Sequence, residues 1–328
     1  MIIVFTGGTG GAKLVQGLQQ VVPADELTVV VNTGDDVDWW GLHVSPDIDS
    51  VLYALGGLLS KDRGWGVDGD SFRCLDRMKQ LGQPSWFNLG DLDLATHLTR
   101  TALLRAGKTL SEATAELATQ LGIRARVLPM SDDRVSTMLD TAKGTLTFQE
   151  YFVRERHQVE VHAVRFEGAE RARPAPGVIE AIEEAEAIIF APSNPVTSIG
   201  PILAVPGIRN AMLQPGKGQK APIIVVSPIV GDAAVSGPAG ELMKIQGHAS
   251  SLEGVLWLYV NLLPRHYWLV GDLADHHKAY DLLEAPIPIE WTHTIMRSAE
   301  DKRQLAEFVL TLCSGIRQLL NRRTVASN

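Results

Sequence analysis

Short apolar runs rich in β-branched residues recur along the chain at Ile2–Phe5, Leu27–Asn32, Ala187–Ala191, Ile223–Ser227 and Trp268–Val270. Each is apolar without alternation, the pattern of a strand buried on both faces of a parallel sheet. Helical periodicity separates them: Leu14–Gln20 follows the first run, and the Glu- and Ile-rich stretch Ala181–Ala185 leads into the third. The alternation predicts an α/β fold with a doubly wound, mainly parallel, Rossmann-like sheet. Two regions break the rhythm. Residues from about 50 to 121 show helical periodicity with little strand signal, marked by Leu98, Leu103, Leu104, Leu117 and Leu121. This predicts a helical insertion, or cap, over the C-terminal edge of the strands. Gly144–Val164 alternates and carries Phe148, Tyr151 and Phe152, which predicts a strand or hairpin. The one linker-like stretch, Ala172–Gly177, is too short to divide the chain, so residues 1–328 are read as a single α/β domain.

The junction between the first run and its helix is where chemistry enters. The sequence MIIVFTGGTGGAK places four glycines within five residues at the end of a buried strand. Glycine lets backbone amides reach an anion, and the following helix aims its partial positive end at the same point. Gly7, Gly8, Thr9, Gly10, Gly11 and Lys13 are therefore candidate phosphate-binding residues, and a diphosphate-containing ligand is expected. Lys13 is followed by Leu14, so the Ser or Thr of a Walker A loop is missing, which argues against an ordinary P-loop NTPase. A glycine-rich turn with no ligand remains open, as does a dinucleotide dehydrogenase.

The second run ends in Asn32-Thr33-Gly34-Asp35-Asp36, with Asp38 close behind and Pro46-Asp47-Ile48-Asp49 following. A dehydrogenase needs one acid there, on a ribose hydroxyl. Several acids beside a diphosphate repel it unless a divalent cation intervenes. Mg²⁺ takes one or two carboxylates together with phosphates and water. The alternative is a solvated acidic loop that caps the next helix. Further polar groups stand at predicted strand ends or near them: Gly90-Asp91-Leu92-Asp93 with Thr96-His97, Ser131-Asp132-Asp133-Arg134, and Ser193-Asn194-Pro195. Ser193 and Asn194, fixed between prolines, suit hydrogen bonds to a nucleotide or phosphate. His97 is the histidine that stands beside an acidic motif, whereas His276 and His277 read as a solvated face.

Composition narrows the field. A net charge of −8 argues against nucleic acid as the main partner. No uninterrupted apolar run is long enough for a membrane span, and no basic leader precedes the first apolar run, so a cytoplasmic protein is expected. Cys74 and Cys313 lack metal-type spacing and read as reduced, buried thiols. Hydrolase-elbow and zinc motifs find no match.

Several blocks together resemble one family: FTGGTGGAKL (5–14), VVNTGDD (30–36), SPDIDSVLYALGG (45–57), RGWG (63–66), LGDLDLATHLTR (89–100), LPMSDDRVST (128–137), APSNPVTSIGPIL (191–203), VSPIVG (226–231) and VSGPAG (235–240). In order and spacing they resemble the 2-phospho-L-lactate transferases of deazaflavin coenzyme F-420 biosynthesis, CofD in archaea and FbiA in actinobacteria. YvcK-like nucleotide-binding regulatory proteins share the glycine loop and the SNP block. The resemblance implies transfer of a phospho-three-carbon acid (lactyl, enolpyruvyl or glyceryl) from a GDP-linked donor to the deazaflavin Fo, with Mg²⁺ as cofactor and GMP released. It implies that the glycine loop and Ser193, Asn194 and Pro195 bind the GDP side. It further implies that Asp35 and Asp49 are catalytic and hold the metal, that Asp49, Asn88, Asp91 and Trp65 contact Fo, and that the protein is a homodimer. Archaeal members of that family can carry Lys at position 88, and many relatives have Arg between the acids of GDLD, where this chain has Asn88 and Leu92.

Overall fold

The computed structural model describes residues 1–213, 221–263, 267–280, 282 and 284–326. Its centre is a seven-stranded sheet of β1 (Ile2–Thr6), β2 (Leu27–Val31), β3 (Arg126–Pro129), β4 (Ala187–Phe190), β5 (Ile223–Val226), β6 (Trp268–Asp272) and β7 (Ile289–Thr292). The order is β7-β6-β5-β4-β1-β2-β3 and every pairing is parallel. The chain winds outward from β1 through β2 to β3, then returns to the other side of β1 with β4. The switch point therefore lies between β1 and β4, where ligands bind beyond the strand C-termini in such sheets.

The central strands β1, β2, β4 and β5 are mostly apolar because both faces are covered. Ile3, Phe5, Val30, Ile188, Phe190 and Val225 enter one core, and Val4, Val29, Val31, Ile189, Ile224 and Val226 enter the other. Each such burial contributes roughly 1.5–3 kcal/mol. The second core is closed by α1 (Thr9–Val21), α2 (Pro46–Leu55) and the long Ala299–Ala326 helix. Gly17 permits this closure, since a Cβ there would overlap the Lys302 carbonyl oxygen. Gly17→Val is expected to lower stability by about 1–3 kcal/mol through overpacking, read as a lowered Tm.

The helical stretch expected at 50–121 divides in two. The end of α2 and α5 (Leu110–Gln120) join the sheet-covering core, whereas α3 (Arg73–Gln80) and α4 (Asp91–Arg105) stand beyond it. The Gly144–Val164 region is part of a small antiparallel sheet of Ser136–Thr141, Gly144–Thr147 and Val161–Glu167. Its aromatics Tyr151 and Phe152 lie instead on a π-helical turn, Glu150–Arg154. The apolar Arg126–Met130 segment supplies the edge strand β3, and β7 is an edge strand that strand periodicity did not reveal. Cys313 is buried as expected, but Cys74 is exposed because α3 buries none of its residues. Among the described residues, no helix is long and apolar enough to cross a membrane.

Candidate active site

A cavity of about 560 Å³ opens at the switch point, beyond the C-terminal ends of β1, β2 and β4. Gly8, Thr9, Gly10, Asp35, Trp65, Asn88, Ser193 and Asn194 line it, so the structure brings these sequence-selected residues to one place. The helix after β1 starts at Thr9, inside the glycine loop and earlier than its periodicity indicated, with Gly8 as N-cap. None of Gly7, Gly8, Gly10 and Gly11 adopts a positive φ. They are needed because neighbours approach closely. A Cβ on Gly7 would overlap Ser198, one on Gly10 the Pro192 carbonyl oxygen, and one on Gly11 the Thr6 hydroxyl. On Gly8 it would stand 2.6 Å from Asp47 Oδ1. The Gly7 amide donates to Ser193 Oγ at 3.0 Å, tying the β1 loop to the β4 loop. Asn194 caps the turn after β4, its Oδ1 accepting from the Val196 amide at 2.9 Å.

Other selected residues lie off the cavity wall. Gly7, Gly11 and Pro195 pack behind it. Lys13 is absent from the wall as well, and its charge acts on Lys302, whose ammonium is held below its usual range by burial first and then by Lys13 and Lys61. Asp91 does not face the cavity either. Its carboxylate accepts from Ser71 Oγ at 2.6 Å and the Cys74 amide at 2.9 Å, and so holds the start of α3. Asp70 answers by accepting from the Leu92 amide at 2.8 Å and the Asp93 amide at 3.0 Å at the start of α4. Asp49 is buried, is gripped by the Arg100 guanidinium and does not line the cavity, whereas Asp47 does.

Asp47 stands opposite the N-terminus of α1. Asn32 Nδ2 donates to its Oδ2 at 2.9 Å and the Gly8 amide also donates to its carboxylate. Burial, and then repulsion from Asp36 and Asp49 working against those hydrogen bonds, pushes Asp47 up to about 7. Burial, and then repulsion from Asp47, likewise raises Asp35 well above the usual carboxylate range. Asp35 Oδ1 is buried without a hydrogen-bond partner among the described residues. Two carboxylates that each disfavour ionisation, one with an orphaned oxygen, would suit a divalent cation that neutralises them. No cluster of three or more His, Cys, Asp or Glu with metal-holding geometry occurs among the described residues, so such a cation would draw its remaining ligands from phosphate and water.

Other parts of the wall were not selected from the sequence as site residues. Phe148, Gln149, Phe152 and Val153 come from the π-helical turn and the residues before it, and Ser236, Gly237 and Pro238 close the far side. Phe148 and Phe152 stack with ring centroids 5.5 Å apart. Phe87 and Trp65 also line it, the latter with the Arg63 guanidinium 5.5 Å from its ring centroid. The wall thus combines polar groups of the glycine loop and the β4 turn with aromatic rings.

A parallel sheet that opens a cleft of this kind at its switch point has the architecture of the ligand-binding, doubly wound α/β proteins. Comparison with known proteins resolves the class further. The family profile "2-phospho-L-lactate transferase CofD" matches residues 2–281, and the chain belongs to that family. It is 41% identical over 309 residues to the 2-phospho-L-lactate transferase of Methanosarcina mazei, covering 94% of this chain and 99% of that protein. It is 42% identical over 326 residues to the phosphoenolpyruvate transferase of Streptomyces coelicolor, covering 97% and 99%. The fold is also that of a UPF0052 family protein from Bacillus halodurans, whose crystal structure superposes with a TM-score of 0.61 at 18% identity over 94% of this chain and 98% of that one.

Proposed function

We propose that this protein transfers a phospho-three-carbon-acid group from its GDP-activated form to the ribityl hydroxyl of the deazaflavin Fo, releasing GMP, in coenzyme F-420 biosynthesis. The observation that carries this reading is the charge of the cavity wall. Asp35 and Asp47 are its charged side chains among the described residues, and they stand beside a glycine loop and a helix N-terminus suited to phosphate. An anionic diphosphate fits there with a divalent cation, as a phosphoryl-transfer site requires. The names of the family and of its relatives support the transferred group, and the two names differ in the acid they specify.

In this reading Asp35 and Asp47 hold Mg²⁺, which supplies neutralisation of the diphosphate charge as the leaving group departs. Backbone amides of the glycine loop and the turn at Ser193 and Asn194 orient the GDP end. Trp65, Phe87, Phe148 and Phe152 offer ring faces and edges for stacking a planar acceptor, with Asn88 at the same wall. The acceptor hydroxyl oxygen bonds to the phosphorus that carries the acid. The bond from that phosphorus to the bridging oxygen breaks, GMP leaves with that oxygen, and the hydroxyl proton is lost. The protein's contribution is positioning and charge compensation.

Incubation with Fo, Mg²⁺ and each GDP-linked donor (lactyl, enolpyruvyl or glyceryl) tests the proposal, with products identified by mass spectrometry. One donor at least is expected to yield phospho-acid-linked Fo. GDP binding with no GMP released from any donor would favour a YvcK-like binding protein, and NAD binding without GDP binding a dehydrogenase.

A further inference from the structure

Behind the cavity, α2 and α4 meet through a buried polar face in place of an apolar one. On α2 it consists of Asp49 and Tyr53, four residues apart and so on one side of the helix. On α4 it consists of Asp93, His97 and Arg100, spaced by four and then three. All five are buried, and Arg100 completely. Arg100 donates to both oxygens of Asp49, with Nη1 at 3.1 Å from Oδ2 and Nη2 bonded to Oδ1. Tyr53 donates to Asp93 Oδ1 at 2.6 Å, and His97 Nε2 lies 3.2 Å from the same oxygen. His97 Nδ1 lies 3.5 Å from Asp49 Oδ2. None of these groups lines the cavity.

The position of Asp49 gives this cluster its consequence. Asp47 and Asp49 share the first turn of α2, about 200° apart around the helix axis. One carboxylate faces the glycine loop and the other faces α4. Ser45, the N-cap, makes no side-chain capping bond to the helix, and its hydroxyl donates to Asp36 Oδ2 at 2.7 Å. The rotation of this turn is therefore held from behind, by a planar guanidinium fork that bonds a carboxylate in one orientation. We infer that Arg100 is a positioning residue: through Asp49 it fixes the first turn of α2 so that Asp47 faces the cation and phosphate end of the cavity.

This inference rests on the cation reading above, and the test separates the two. The full-length protein is titrated with Mn²⁺ alone and the free ion followed by electron paramagnetic resonance. The variants are the apolar pair Asp49→Leu/Arg100→Met and the single Arg100→Lys. Replacing both charges leaves no unpaired buried ion, so the pair variant should keep a Tm near that of the wild type. Its Mn²⁺ affinity is expected to fall by about tenfold or more, with kcat reduced and KM for the acceptor little changed. Arg100→Lys keeps the charge but loses the fork, and is expected to weaken Mn²⁺ binding several-fold, about threefold or more. It decides the matter if the pair variant fails to fold. Wild-type Mn²⁺ affinity and kcat in a folded variant would show that the clamp is only structural and overturn the inference. If the wild type itself binds no Mn²⁺, the cation reading fails instead. The inference then stands or falls on whether GDP affinity drops by about tenfold in the same variants.

Discussion

Asp47→Asn is expected to cut phospho-acid transfer by about a thousandfold or more while the protein stays folded. The substitution keeps the side-chain volume and an oxygen to accept from Asn32 and Gly8, but removes the charge that a cation needs. Asp35→Asn should act in the same way, because Asp35 shares the wall and carries the unpartnered oxygen. Both carboxylates are raised in the free protein, so neutralising either relieves repulsion. The variants should therefore unfold at a Tm equal to or above that of the wild type. Lost activity with retained or raised stability is the signature of charges kept for function at a cost to the fold. Steady-state turnover at saturating substrates, paired with thermal melts, reads both quantities. Near-normal turnover in both variants would remove the cation from these residues.

Gly8→Val is expected to be the second most damaging change. Even the first carbon of a side chain at this N-cap would stand 2.6 Å from Asp47 Oδ1 and 3.3 Å from Ser50 Oγ. The branched side chain would press Asp47 away from its place and cover the amides at the start of α1. Loss of GDP affinity should reach about a hundredfold, near 2.7 kcal/mol. Isothermal calorimetry on the folded variant checks this. Unchanged GDP affinity would mean that the glycines serve only the close packing of the β1 and β4 loops.

How far the sequence discloses this site follows from which contacts are local. The glycine loop is legible because four glycines at a strand end have few other uses, although their reason here is close approach and not an unusual φ. The central strands are legible because burial on both faces keeps nearly all their positions apolar. The edge strand β7 is harder to see, since Pro286 and Pro288 precede it and all its residues are only half-buried. The acids of the PDID block show the limit most clearly. Asp47 and Asp49 sit on one helical turn, and which of them faces the cavity depends on Arg100, 51 residues further along the chain. Phe148 and Phe152 signalled aromatic content, but not that a π-helical turn would carry Phe152 to the cavity wall. Asp91 looked like a site acid, yet its partners are backbone amides and a hydroxyl at the start of α3.

The central claim is that the carboxylates beside the glycine loop serve a cation-dependent transfer. The most direct measurement is GMP release from chelator-stripped protein supplied with Fo and an active donor, followed as Mg²⁺ is added back. The account predicts no release without the cation, and with it one GMP for each phospho-acid joined to Fo. Equal release in the presence of excess chelator, or GMP formed without modified Fo, would contradict it.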